Sequence, residues 1–205
     1  VYNDVCKDRL YTFAADHPQR RSTQTAVHAI CGALIRVLAP ILTFTADEAW
    51  CHLHFRADFA PADAATPSVH LADWPAADPA WRDDALAADF AELLKVRAKV
   101  NEALEPLRQA GQLGKSLDAS VTLSVSGDDA LDPVLRRHEA FLPELLIVSH
   151  VVLAETPAAT AFAVSARPCA ELGYVRCPRC WRWVPALQAT PAGEVCPRCA
   201  EAIPT

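Results

Sequence analysis

The sequence predicts a mainly α chain that ends in a small α+β unit and a four-cysteine ribbon. Three observations carry that expectation. Apolar residues recur at helical spacing through 19–39 and again through 84–105. Ser120-Val121-Thr122-Leu123-Ser124-Val125 alternates as a half-buried strand does. Two Cys-x-x-Cys pairs, Cys177-Pro178-Arg179-Cys180 and Cys196-Pro197-Arg198-Cys199, lie near the end of the sequence. The expected divisions are a helical bundle over 1–110, the α+β subdomain over 111–166 and the ribbon over 167–205.

Taken in order, residues 2–13 mix Lys7 and Arg9 with Tyr2, Leu10, Tyr11 and Phe13. They read equally as a helix end or an extended lead-in. Asp16-His17-Pro18 breaks them. A long helix follows to about Ala39, with Val27, Ile30, Leu34, Val37 and Leu38 as its apolar stripe; Pro40 closes it. Arg20, Arg21 and Arg36 lie off that stripe and are candidates for phosphate contacts. Thr45-Ala46-Asp47-Glu48 reads as a capping box opening a helix over 46–54 that contains Trp50. His52 and His54 cannot share a helix face, so both are expected in solvent.

Residues 56–81 are rich in Ala, Pro and Asp and read as a linker, with His70–Pro75 extended. Asp83 or Asp84 caps the next helix, whose stripe is Leu86, Phe90, Leu93, Val100 and Leu104. Lys95 and Lys99 share another face. Pro106 is expected to kink or end this helix, and Gly111 and Gly114 to turn the chain. After the 120–125 strand come one or two short helices, a β-rich run over 146–153 and a third strand over 161–166.

Fifteen residues separate Cys180 from Cys196. That spacing is a structural zinc pattern, one ion per chain held by Cys177, Cys180, Cys196 and Cys199. Four thiolates close the tetrahedron, so the site folds its surroundings and does no chemistry. Cys169 is the one nearby thiol in reach as a spare ligand. Trp181 and Trp183 sit among Arg176, Arg179, Arg182 and Arg198. Guanidinium groups interleaved with aromatic rings on a rigid support stack unpaired bases and grip phosphates.

The net charge of −6 opposes nucleic-acid binding only as a total. Residues 61–166 carry eight bases against sixteen acids, whereas the segment from 167 on has five Arg and three Glu. Binding therefore has to use local patches. No run of about 18 apolar residues exists, so no membrane span is expected. Cys6, Cys31, Cys51 and Cys169 are scattered as reduced thiols are, which points to the cytoplasm. Methionine is absent and the sequence opens on Val1-Tyr2-Asn3-Asp4. A segment of a longer protein is expected.

Several stretches carry a resemblance. They are Lys7-Asp8-Arg9-Leu10-Tyr11, the run Leu38–Trp50, Val69-His70-Leu71-Ala72-Asp73-Trp74-Pro75, Gly114-Lys115-Ser116-Leu117-Asp118-Ala119 and the final Cys-x-x-Cys-Trp…Cys-x-x-Cys. Together they resemble the C-terminal region of bacterial-type isoleucyl-tRNA synthetases, a class I family. The resemblance implies a helical-bundle anticodon-binding domain, a small α+β piece and a zinc ribbon, which together grip the anticodon arm of isoleucine tRNA. It places Trp181 as the ring that stacks on an anticodon base. It implies association with the catalytic and editing domains of the parent chain, and a monomer. The HIGH-like and KMSKS-like motifs of that family's catalytic domain are not in this sequence, so the segment alone is expected to be inactive. Pro106 departs from the family's continuous helix.

Two other readings compete. One is a ribbon that binds only protein; the acidic middle favours it and the Trp–Arg interleaving opposes it. The other is the duplex-DNA ribbon of formamidopyrimidine-DNA glycosylases. Those enzymes need an N-terminal catalytic proline, and this sequence begins with Val1.

Overall fold

The computed structural model describes residues 1–54, 68–157 and 161–203. The described chain is mainly α, with small sheets and a four-cysteine cluster. It forms two compact units, one of Asp16–Arg82 and one of Val1–Ala15 with Asp83–Thr205. Some of the expected 56–81 linker, including Pro61 and Pro67, lies outside the described residues.

In the first unit, α2 (Pro18–Leu38) starts at Pro18, whose missing N–H costs nothing in the first helical turn. α2 packs on α3 (Thr43–His54) through Cys31, Ile35 and Ala39, which meet Ala46, Ala49, Trp50 and Leu53. The buried strip therefore lies beside the expected one. Ile30, Leu34, Val37 and Leu38 are exposed, as are Ile41 and Phe44. The capping box does not form, because α3 already begins at Thr43 and Thr45 sits inside it. Asp47 instead accepts from Ser68 Oγ (2.6 Å) and the Val69 amide (3.1 Å). It thereby anchors a 3₁₀ turn over Val69–Leu71, where an extended chain was expected. His52 and His54 are exposed, and the His54 ring lies 4.0 Å from that of Trp50.

The second unit begins with α1 (Tyr2–Thr12), which settles the ambiguous opening as helix. α4 (Asp84–Gln109) is capped by Asp83, whose carboxylate accepts from the Leu86 amide at 2.8 Å. It does not end at Pro106 but continues to Gln109. A mid-helix proline costs about 3 kcal/mol, but Leu104 before it is fully buried and Leu107 after it packs on the same core. α4 then ends in a Schellman motif. Gly111 takes the left-handed φ of 70°, its amide bonds the Arg108 carbonyl, and the Gln112 amide bonds that of Leu107.

β1 (Ala119–Ser126) is the central strand of a three-stranded sheet. It pairs parallel with β2 (His150–Thr156) and antiparallel with β3 (Ala163–Pro168). α5 (Asp132–Arg137) and α6 (Leu142–Leu146) fill the crossover between β1 and β2. β1 buries one face fully and leaves Thr122 and Ser124 of the other partly exposed, as its alternation predicts. Val121, Leu123 and Val125 are fully buried, and Ser120 and Ser126 nearly so. Leu93, Val96, Val100 and Leu104 of α4 share its core with Leu135 of α5 and Leu142 of α6. Leu104→Ala should therefore destabilise the chain by about 2–5 kcal/mol. A denaturant titration checks this, with the loss appearing in the midpoint.

Candidate metal centre and nucleic-acid interface

Two short hairpins present the cysteines. β4 (Val175–Arg176) pairs with β5 (Trp183–Val184) around the first knuckle. There the Cys177 amide donates to the Arg182 carbonyl (2.8 Å) and the Trp181 amide to the Cys177 carbonyl (2.9 Å). β6 (Gln188–Thr190) pairs with β7 (Gly193–Val195), and α7 (Pro197–Glu201) follows at once. Cys196 and Cys199 thus lie at a strand-to-helix corner. The Cys196 amide donates to Cys177 Sγ at 3.3 Å, which joins the two knuckles.

All four sulfurs lie within 4.8 Å of one another, and Cys180 Sγ is 3.7 Å from Cys196 Sγ. A tetrahedron with metal–sulfur bonds of about 2.3 Å has edges of about 3.8 Å, so the group can hold a metal ion. Burial pushes the Cys196 and Cys199 thiols up. Burial acts on Cys177 too, but amides of Cys180, Cys196 and Arg179 outweigh it and hold that thiol at about 6. A bound cation would favour thiolates throughout. Cys169 is buried, its thiol pushed by that burial to about 11, and it is not among the four clustered thiols.

Three of the arginines expected on RNA are turned inward. Arg198 grips Asp8 of α1 with both terminal nitrogens, at 2.5 and 2.9 Å. Arg182 reaches the same carboxylate at 3.2 Å. Arg179 donates to the Thr12 carbonyl and to Cys199 Sγ. Thr12 Oγ1 also donates to Asp8. Both knuckles are thereby docked on α1. Trp183 ties the ribbon to the α+β subdomain: its Nε1 donates to Asp118 (2.9 Å) and its amide to Ser149 Oγ (2.7 Å).

Trp181 is placed differently. It is half exposed and takes a left-handed φ of 66°. Lys115 Nζ lies 4.3 Å and Arg176 Cζ 5.7 Å from its ring centre. The sequence pattern counts Arg176 among the guanidinium groups interleaved with the two Trp rings and does not single out Lys115. The signal for Lys115 is the Gly114–Ala119 stretch, whose place beside the ribbon only the fold shows. Elsewhere, Lys95 pairs with Glu92 (2.6 Å) in solvent, and Lys99 Nζ lies 5.0 Å from the Phe162 ring centre. Arg20, Arg21 and Arg36 belong to the other unit. There Arg21 donates to Gln24 and Arg36 to the Gly32 carbonyl.

Burial would raise the Asp8 carboxyl; hydrogen bonds from Arg198 and the charges of Arg182 and Arg198 outweigh it and hold it low. A depressed carboxyl adds stability above its unfolded value of about 4 and loses it as pH falls through the folded value. Asp8→Asn should cost about 1.5–3 kcal/mol, the worth of hydrogen bonds to a charged group. It should also flatten the acid limb of the melting profile. Thermal melts of the two proteins between pH 3 and 7 check both.

Residues 1–123 match the family described as the anticodon-binding domain of tRNA ligase. The chain is also similar to isoleucine–tRNA ligases. It is 37% identical to that of Thermotoga petrophila over 200 residues, 97% of this chain and 21% of that protein. The identity is 34% over 215 residues with that of Natranaerobius thermophilus, covering all of this chain and 22% of that one. With Xylella fastidiosa it is 39% over 204 residues, 97% and 20%. The chain thus spans about a fifth of the length of the curated relatives it matches. A family match over more than half its residues, on a chain of this helical architecture, makes it a member of the anticodon-binding domain family of tRNA ligases.

Proposed function

We propose that this chain is the tRNA-gripping portion of an isoleucine–tRNA ligase, binding the anticodon arm of isoleucine tRNA. A catalytic domain elsewhere in the parent would join isoleucine to that tRNA with ATP. The observation that carries the reading is Trp181. The knuckle holds it on a left-handed turn, half exposed and flanked by two cations. That arrangement suits an unpaired base on the ring, with Lys115 and Arg176 released to the adjoining phosphates. In this reading the helical domain over 1–110 and the ribbon over 167–205 share the RNA contact, and residues 111–166 carry the ribbon. Lys95, Lys99, Arg20, Arg21 and Arg36 are the helical phosphate candidates. Arg179, Arg182 and Arg198 hold the ribbon in place and act on RNA through that.

The exposed apolar residues Ile30, Leu34, Ile41 and Phe44 exceed what an isolated domain needs. They suit contact with the catalytic and editing domains of a longer monomeric parent, and relatives about five times as long support this. Among the described residues no helix is long and apolar enough to cross a membrane. Cytoplasmic residence follows from the proposed role.

Zinc is the metal proposed, one per chain, because four thiolates at tetrahedral separation suit it. Cys177→Ser should lose the ion and melt the ribbon while the α4–β1 core stays folded. Metal analysis beside far-UV dichroism decides it, and a mutant that keeps its zinc overturns the assignment.

A base stacked on an aromatic ring is worth about 1–3 kcal/mol. Trp181→Ala should therefore weaken binding of the anticodon arm about five- to 150-fold, with zinc content and melting temperature unchanged. Trp183→Ala, which loses the Asp118 bond, should lower the melting temperature instead. Gel shifts and melts on both variants test this. The reading fails if Trp181→Ala unfolds the ribbon or leaves RNA affinity intact.

A further inference from the structure

The first knuckle, α1 and the Leu117 and Ile147 region enclose a cavity of about 440 Å³, within the size of ligand clefts. We propose that it takes a second unpaired nucleobase, stacked on Tyr11, beside the base that stacks on Trp181. This rests on the RNA-binding reading above.

The walls select the ligand. Their charged groups are already engaged: Asp8 with Arg182 and Arg198, Glu144 with Arg9, Arg179 with the Thr12 carbonyl. What remains is an apolar lining that includes Leu117 and Ile147, and the Tyr11 ring, 77% exposed. Lys7 also lines the cavity, tied only to exposed Asp4 at 2.8 Å, a contact that water weakens. An apolar recess with an aromatic wall and one releasable cation fits a flat ring carrying a phosphate. A peptide would also need partners for its backbone amides, and the polar groups of this recess are taken.

The backbone points to the same place. Among the described residues, the non-glycine residues with positive φ are Ile147 (56°) and Trp181 (66°). Both line this cavity. A β-branched residue in that region is strained, and such strain collects at ligand sites. Tyr11 and Trp181 therefore offer two aromatic surfaces at one recess, which suits two neighbouring bases splayed out of a loop.

The test titrates the full chain in its zinc-loaded form with anticodon-arm hairpins, each abasic at one loop position in turn. Tyr11→Ala should weaken binding of the intact arm about five- to 150-fold, and Tyr11→Phe should bind as the unsubstituted chain does. Tyr11 is exposed, so truncation should leave the fold intact, and a melt verifies that. The Tyr11→Ala loss should vanish with one abasic position, different from the one that silences Trp181→Ala. Unchanged affinity in Tyr11→Ala overturns the proposal. So does a loss that persists at every abasic position, or one silenced at the Trp181 position. If Trp181→Ala alone loses affinity, the cavity proposal falls and the RNA-binding reading stands. If the unsubstituted chain binds no arm, both fall.

Discussion

One carboxylate of α1 fixes the ribbon. Asp8 receives Arg198 from inside the second knuckle and Arg182 from just after the first. The ribbon cannot orient itself by bulk. Its buried cluster is Cys177, Cys180, Val195, Cys196 and Cys199, so four of five core residues are the clustered thiols. A core that small gains little from burial; the Asp8 pairs, and a metal ion if the four thiols hold one, would supply what packing does not. Buried ion pairs hold geometry better than they add stability, since desolvation offsets much of their attraction. Here geometry is what is needed, because the Trp181 ring is useful only if its knuckle is held still.

That constraint explains which features were legible in the sequence. The metal site was legible because its information is local: two residues between ligands fix a knuckle. The helices were legible by period. The buried strip of α2 was misplaced because Ile35 and Ala39 face Trp50, a choice made by α3 and not by α2's own pattern. The alternation of β1 marks its buried face, Val121, Leu123 and Val125, but not its parallel neighbour, which arrives from beyond two helices. Pro106 misled for the same reason, since the leucines flanking it are buried by distant elements.

The arginines are the most instructive case. Arg179, Arg182 and Arg198 read as an RNA-facing set because they crowd two aromatic residues. The partner that takes Arg198 lies 190 residues away, where no local pattern reaches. Lys115 was passed over because its ring partner lies in another element. Composition locates the arginine-rich segment but not which of its guanidinium groups fold back onto α1.

The consequence for recognition follows from how few cations remain. With Arg182 and Arg198 sharing the Asp8 carboxylate, Arg179 tied to the Thr12 carbonyl and an acidic middle, the surface around Trp181 offers Lys115, Arg176 and Lys7. Phosphate neutralisation gives affinity that salt erodes steeply. Stacking gives affinity that tolerates salt and any base with a π face. A surface poor in free cations and provided with two exposed rings must draw chiefly on the second. Under the proposed role, such a site would grip a loop whose bases are already splayed and would reject a duplex, whose bases are stacked on one another and whose phosphates it cannot neutralise. In the proposed role, the same scarcity of positive charge that makes the chain acidic overall would bias it toward single-stranded loops.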